Sequence, residues 1–366
     1  MSDPRLAKLA HVLVHYSLGL KEGDLFQISA RPLATPLIRE LCRETLAVGA
    51  YPLVDLSLEE VVETLYRHGS DAQLQYIPNV TRQLLEDVQA TLQILSSENT
   101  KYLSGVDAAK IALRSKAGSD LSRRLLEREA AGELSWSITL FPTQAAAQDA
   151  EMSLTDYEDF VYGACKLNES DPVSAWQDVH KEQQRLADIL KTKRVIRLVA
   201  PDTDLTYHTG GRTWLNADGK RNFPDGEIFT SPDETETEGH IRFTYPAIFA
   251  GRAVEDVRLV FSEGKVVTAT AAKGEDLLHA QIGMDEGARR LGEAAFGTNY
   301  NITRHTKNIL FDEKIGGSIH LALGQSFPDI GGRNTSALHW DMVCDMHQGE
   351  AYADGELIYK DGKFVI

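Results

Sequence analysis

The chain has 366 residues, 42% hydrophobic and 25% charged, which is the length and composition of an ordinary globular protein of two domains. Its 38 basic and 54 acidic residues give a formal charge of −16, an excess that repels phosphate backbones and anionic lipid surfaces and argues against nucleic-acid and membrane partners. Cys42, Cys165 and Cys344 lie far apart in no C-x-x-C pattern, which argues against a disulfide framework and for a reducing compartment.

The opening Met1 to Arg5 lacks secretory character, and no apolar run approaches a membrane span, so the cytoplasm is the expected location. The sequons at Asn79, Asn168, Asn301 and Asn334 are then expected to stay unglycosylated. Ser2, Asp3 and Pro4 read as a helix start, followed by an apolar stripe of Leu6, Leu9, Val12, Leu13 and Tyr16. His11 and His15 are four apart on this helix and read as a helix-face pair with no carboxylate beside them in sequence.

Residues 25–28 predict a strand, residues 35–46 an amphipathic helix closed by Gly49, and residues 51–56 a second strand. Strand, helix and strand with such short loops form a βαβ unit with a parallel, right-handed crossover. Residues 91–95 and 135–140 read as further strands of that sheet, and residues 153–192 as helical. Beyond them the texture changes to strands at 195–199, 205–208, 241–245, 257–261 and 266–270. Asp361-Gly362 between Leu357-Ile358-Tyr359 and Phe364-Val365 signals a hairpin with a type I′ turn. The expected fold is an α/β N-terminal domain with a parallel sheet over residues 1–190, then a β-rich α+β domain over residues 191–366.

Residues able to do chemistry gather in the second half. Asn222-Phe223-Pro224-Asp225-Gly226 is a turn that sets Glu227 at the mouth of Ile228-Phe229-Thr230, and Glu293 follows Gly292. Taken singly, each carboxylate reads as a solvated acid. His320, among apolar neighbours, reads more readily as a core histidine than as a ligand. His339-Trp340-Asp341 is sharper, because residues two apart on a strand face the same side, so imidazole and carboxylate converge. That pair suits a cation or a His–Asp hydrogen bond, and with His320 it has the composition of a mononuclear iron triad. Asp345 and His347 continue the alternation but lie too far along the strand to join one site. Neither a phosphate loop nor a G-x-S-x-G elbow occurs.

On these residues the chain resembles the thermophilic metallo-aminopeptidases, the group of aminopeptidases T and S. The likeness runs nearly full length, from Leu6-Ala7-Lys8-Leu9-Ala10 and residues 16–24, through residues 216–220 and 225–232, to Arg290-Leu291-Gly292-Glu293, residues 308–314 and His339-Trp340-Asp341-Met342. It implies that Glu227, Glu293, His320, His339 and Asp341 hold two divalent cations, Zn²⁺ or Co²⁺; a carboxylate can span both ions where a neutral imidazole cannot, and Glu293 is taken as that bridging and catalytic carboxylate. It also implies a homodimer that releases N-terminal amino acids from short peptides by metal-activated water, with the N-terminal domain shaping access to the site.

One position departs from the family. Seven residues beyond His320 the family usually has tyrosine, and here Phe327 keeps the ring but loses the hydroxyl donor. Two rival readings follow: a metal-binding protein with weakened peptidase activity, or a ring-cleaving dioxygenase with one Fe(II) on a related scaffold. Glu227 and Glu293 argue against the second, since a mononuclear site leaves two carboxylates unneeded. Asp312 and Glu313 are candidates for the general base, each as readily a surface acid.

Overall fold

The computed structural model describes residues 3–249 and 251–366, so that Ser2, of the expected helix start at Ser2, Asp3 and Pro4, lies outside it. That helix runs Arg5–Val12, and Asp3 Oδ1 accepts the Arg5 N–H at 2.8 Å, one of the donors a helix start leaves unpaired. The chain packs as two compact units, residues 1–173 with 219–223, and residues 174–218 with 224–366.

The first unit is built on a parallel sheet. In spatial order its strands are Tyr51–Leu56, Leu25–Ala30, Ala90–Leu95, Ser135–Leu140 and the two-residue Asn222–Phe223. The expected strand–helix–strand unit is present, with helix Thr35–Ala47 between the first two strands in sequence. Leu25–Ala30 buries alternate residues, Phe26, Ile28 and Ala30, beside the buried Leu37 and Leu41 helix positions. Helices Glu59–His68, Asn79–Asp87, Ala108–Ala130 and Leu154–Ala164 also belong to this unit. Among the described residues no helix is long and apolar enough to cross a membrane.

The second unit holds two large antiparallel sheets and a two-stranded one, Ala247–Phe249 with Arg252–Val254. One has eight strands, and its last hairpin joins Glu356–Lys360 to Lys363–Phe364 through Asp361 and Gly362, both at positive φ, as the Asp-Gly signal predicts. The other has five strands in the order His339–Asp345, Ser318–Gly324, Leu291–Gly297, Glu227–Thr230 and Leu215–Ala217.

Strand alternation divides the faces of this five-stranded sheet. Ile228, Ala294, Phe296, Ile319, Leu321, Leu323, Trp340, Met342 and Cys344 point into a core shared with Leu198, Leu205, Ile241 and Leu259 of the eight-stranded sheet. Burying a leucine or phenylalanine of this kind contributes about 1.5–3 kcal/mol, so the register is strongly held. The residues between them must face the other way. Among those residues are Glu227, Glu293, His320, His339 and Asp341.

Candidate metal centre

Register aligns the five side chains. Glu293 pairs with Ala322, and Ala322 with Asp341, so these three form one row across three strands. His320 pairs with Ala295, which pairs with Phe229, and Gly297 pairs with Glu227. Small residues therefore separate the polar ones, and the space a larger side chain would take stays open. Gly297 has a further reason to be glycine: a Cβ there would lie 2.2 Å from the Ile315 carbonyl oxygen. Gly226, at φ 125°, turns the chain into Glu227 where a Cβ would strike Asn299 at 2.7 Å.

Each imidazole is oriented from behind. His320 Nδ1 donates to the Glu313 carbonyl and His339 Nδ1 to the Gln325 carbonyl, both at 2.9 Å. A carbonyl can only accept, so both Nδ1 atoms carry hydrogen and both Nε2 atoms face the cluster. His320 Nε2 is 3.5 Å from Glu227 Oε2 and 3.5 Å from Glu293 Oε1. His339 Nε2 is 3.2 Å from Glu293 Oε2 and 3.6 Å from Asp341 Oδ1. The two Glu293 oxygens thus address different histidines.

Three groupings of ligand atoms in this cluster lie within 4.8 Å of one another, Glu227–Glu293–His320, Glu293–His339–Asp341 and Glu313–His320–Asp341, and Glu293 belongs to the first two. Glu227 Oε2 and Asp341 Oδ1 are buried without a hydrogen-bond partner. A buried unpaired carboxylate oxygen costs free energy unless something cationic meets it. The three carboxylates and two imidazoles are the donor set for hard to borderline divalent cations, so the residues fit metal.

The electrostatics match a site waiting for positive charge. Burial raises Glu227 well above the usual carboxylate range, and burial with the charges of Glu313 and Glu293 raises Asp341 to about 6. Burial also opposes ionisation of Glu293, but hydrogen bonds from His320 and His339 outweigh it and hold that carboxylate low. Conversely burial disfavours the imidazolium forms, yet Glu293 and its neighbours raise His320 to about 10 and His339 to about 9.

Behind Glu227 lies Lys314, fully buried and surrounded by acids. Its Nζ pairs with Glu313 and lies 3.6 Å from Glu227 Oε1 and 4.0 Å from Asp225 Oδ1. Burial works against this ammonium, but Glu227, Glu313 and Asp225 raise its pKa above the usual lysine value. Sequence reading passed over Lys314; an Asp-Glu-Lys run directly after the buried Leu310 and Phe311 was the available signal. That run is delivered by the short helix Ile309–Asp312, capped by Asn308 through the Leu310 N–H.

The two general-base candidates separate. Asp312 is buried, accepting from Thr306 N and Oγ1, with His305 Nε2 at 3.2 Å. Glu313 reaches His320 and Asp341, its ligand atom within 4.8 Å of theirs. Asp345 and His347 pair with each other at the surface. Phe327 packs edge-on against His339 and against Phe229, ring centroids 5.4 Å apart in each case.

Residues 2–364 match the family model described as thermophilic metalloprotease (M29). The chain belongs to this family. Its relatives among the M29 proteins include Aminopeptidase 2 of Geobacillus stearothermophilus, 26% identical over 99% of this chain and 95% of the relative. Aminopeptidase T of Thermus thermophilus is 25% identical over 98% of this chain and 95% of its own length. The structure of wild-type AmpT from Thermus thermophilus matches the M29 fold seen here with a TM-score of 0.86 at 24% identity, covering 99% of both chains.

Proposed function

We propose that the chain is a metal-dependent aminopeptidase, with Glu227, Glu293 and His320 holding one divalent cation and Glu293, His339 and Asp341 the other. The observation that carries this reading is the division of Glu293, whose two oxygens face different histidines at 3.5 and 3.2 Å. A bridging role needs a carboxylate so placed, and an imidazole with one nitrogen already donating to a carbonyl has none to spare. Cations bound there would supply an acidified water and a polarised substrate carbonyl.

The chain's own groups do the rest. Glu313, paired with Lys314, is within reach of His320 and Asp341 and is the carboxylate outside both proposed ligand sets that would take the proton of the attacking water and return it to the leaving amine. Lys314 keeps Glu313 and Glu227 apart in charge while fixing where both point. The crowd of carboxylates also favours a substrate with a free α-ammonium group, which accounts for cleavage at the N-terminus. Inclusion of Glu227 and Glu293 in the cluster favours hydrolysis over mononuclear iron chemistry.

Zinc or cobalt suits these donors. The three cysteines are free, in keeping with a reducing cytoplasm, and a homodimer is the expected assembly. The reading is tested with dipeptides and aminoacyl-anilides, assayed before and after removal of metal by a chelator. Release of N-terminal amino acids that is lost on chelation and restored by zinc or cobalt supports it. Hydrolysis that survives complete metal removal contradicts it.

A further inference from the structure

The helix-face histidines of the first unit have a partner that their sequence neighbourhood does not reveal. Glu44, on helix Thr35–Ala47, places one oxygen, Oε2, 3.1 Å from His11 Nδ1 and 3.2 Å from His15 Nε2. The imidazole rings lie 4.2 Å apart, centroid to centroid. We propose that His11, His15 and Glu44 form a second metal-binding site, for zinc or a similar late transition-metal dication.

Three features support the assignment. The first is spacing. Ligand atoms bound at roughly 2.0–2.2 Å in a tetrahedral arrangement lie about 3.3–3.6 Å apart, close to the two carboxylate–imidazole separations seen here. The second is chemistry, since two imidazoles and one carboxylate are borderline donors that select zinc, nickel or copper over magnesium or calcium.

The third is the backbone. The α-helix Arg5–Val12, which carries His11, passes into a single π turn, Leu13–Ser17, which carries His15, and such turns are concentrated at functional sites. Leu9, Val12, Leu13 and Val14 are buried beneath the pair, and Leu37 and Leu41 beneath Glu44, so all three ligands stand on anchored helices.

The side chains of His11, His15 and Glu44 are 52%, 35% and 26% exposed, which leaves a cation an entry path and room for water as the remaining ligand. A cation held there would tie the first helix to Thr35–Ala47 and stabilise the folded unit by mass action. Peptide cleavage needs none of these residues, and the site stands whether or not the proposed activity does.

Calorimetric titration of the metal-free, full-length chain with Zn²⁺ tests the site. The unaltered chain is expected to take up one equivalent that His15→Ala and Glu44→Gln both lose. Glu44→Gln keeps an oxygen that can accept a hydrogen bond, so its metal-free melting temperature should match the unaltered chain. Glu293→Ala, which disables the proposed centre of the second unit, should retain that equivalent. Zinc uptake unchanged in both surface variants would overturn the proposal, as would loss of the equivalent in Glu293→Ala. Absence of peptidase activity in the unaltered chain would count against the proposed function alone.

Discussion

Glu293 and Asp341 stand two strands apart in one row of the five-stranded sheet, with only the methyl group of Ala322 between them. A β-sheet brings alternate residues of neighbouring strands onto one face, so ligands distant in sequence meet without any loop to position them. The small residue between them is therefore part of the site, because it leaves the volume a cation needs.

Ala322→Leu should fill that volume. The chain would still fold, since overpacking of this kind typically costs about 1–3 kcal/mol. Metal content at the centre and peptide hydrolysis should both be lost. Metal analysis beside a thermal melt separates this from simple unfolding, and a folded Ala322→Leu chain with normal metal content would contradict it.

Lys314 places a lysine charge among the carboxylates of Asp225, Glu227 and Glu313. Replacing it by methionine keeps most of the bulk but leaves buried carboxylates uncompensated. Breaking a buried pair in this way typically costs about 3–5 kcal/mol. Denaturant unfolding of the metal-free Lys314→Met chain should show a loss of that order. A change below about 1 kcal/mol would mean the pairing is energetically idle.

Metal uptake should depend steeply on pH. Without metal, His320 and His339 hold protons up to about pH 10 and about pH 9, against an ordinary imidazole value of 6.5. A cation takes the neutral ring, so binding near neutrality must displace about two protons from this pair. Affinity then rises with pH between 6 and 8, by up to roughly two decades per pH unit. Zinc titrations in buffers of different ionisation enthalpy would report the released protons, and a proton count near zero would refute this.

The same shifts have the opposite sign for the stability of the metal-free chain. Both histidines bind protons more tightly folded than unfolded, so their contribution is complete below the unfolded value of 6.5. It declines as pH rises through about 9 to 10. Alkaline unfolding should accordingly be easier for the metal-free protein than for the metal-loaded one.

Phe327 packs edge-on against His339, one of the proposed ligands. Phe327→Tyr adds a donor for the developing oxyanion, an interaction whose loss elsewhere lowers rates by roughly 10²–10³. A rise in kcat with unchanged metal content is expected. Turnover equal to that of the unaltered chain would show that the centre needs no such donor.

The sequence carried some of this plainly and some of it not at all. The parallel sheet was legible because Leu25 to Ala30 and Tyr51 to Leu56 flank an amphipathic helix, and the Asp361-Gly362 turn because only a few residue pairs tolerate two positive φ values. His339 and Asp341 could be paired by strand alternation and His320 added to them by composition, whereas Glu227 and Glu293 were joined to them only through the family resemblance. Their convergence depends on strand order, which no local pattern encodes. Asn222–Phe223 shows the same limit, since two residues have no periodicity and yet join the sheet of the first unit. Glu44 is a third case: it lies 33 residues beyond His11, and only the packing of two helices brings them together.

The central claim is a centre of two cations bridged by Glu293. Its most direct test is metal analysis of purified His15→Ala chain, in which the surface pair does not contribute, with Glu293→Ala made in the same background. Two equivalents of zinc or cobalt per chain, lost together with peptide hydrolysis in the double variant, are predicted. One equivalent of iron, or a double variant that keeps both metals, would contradict it.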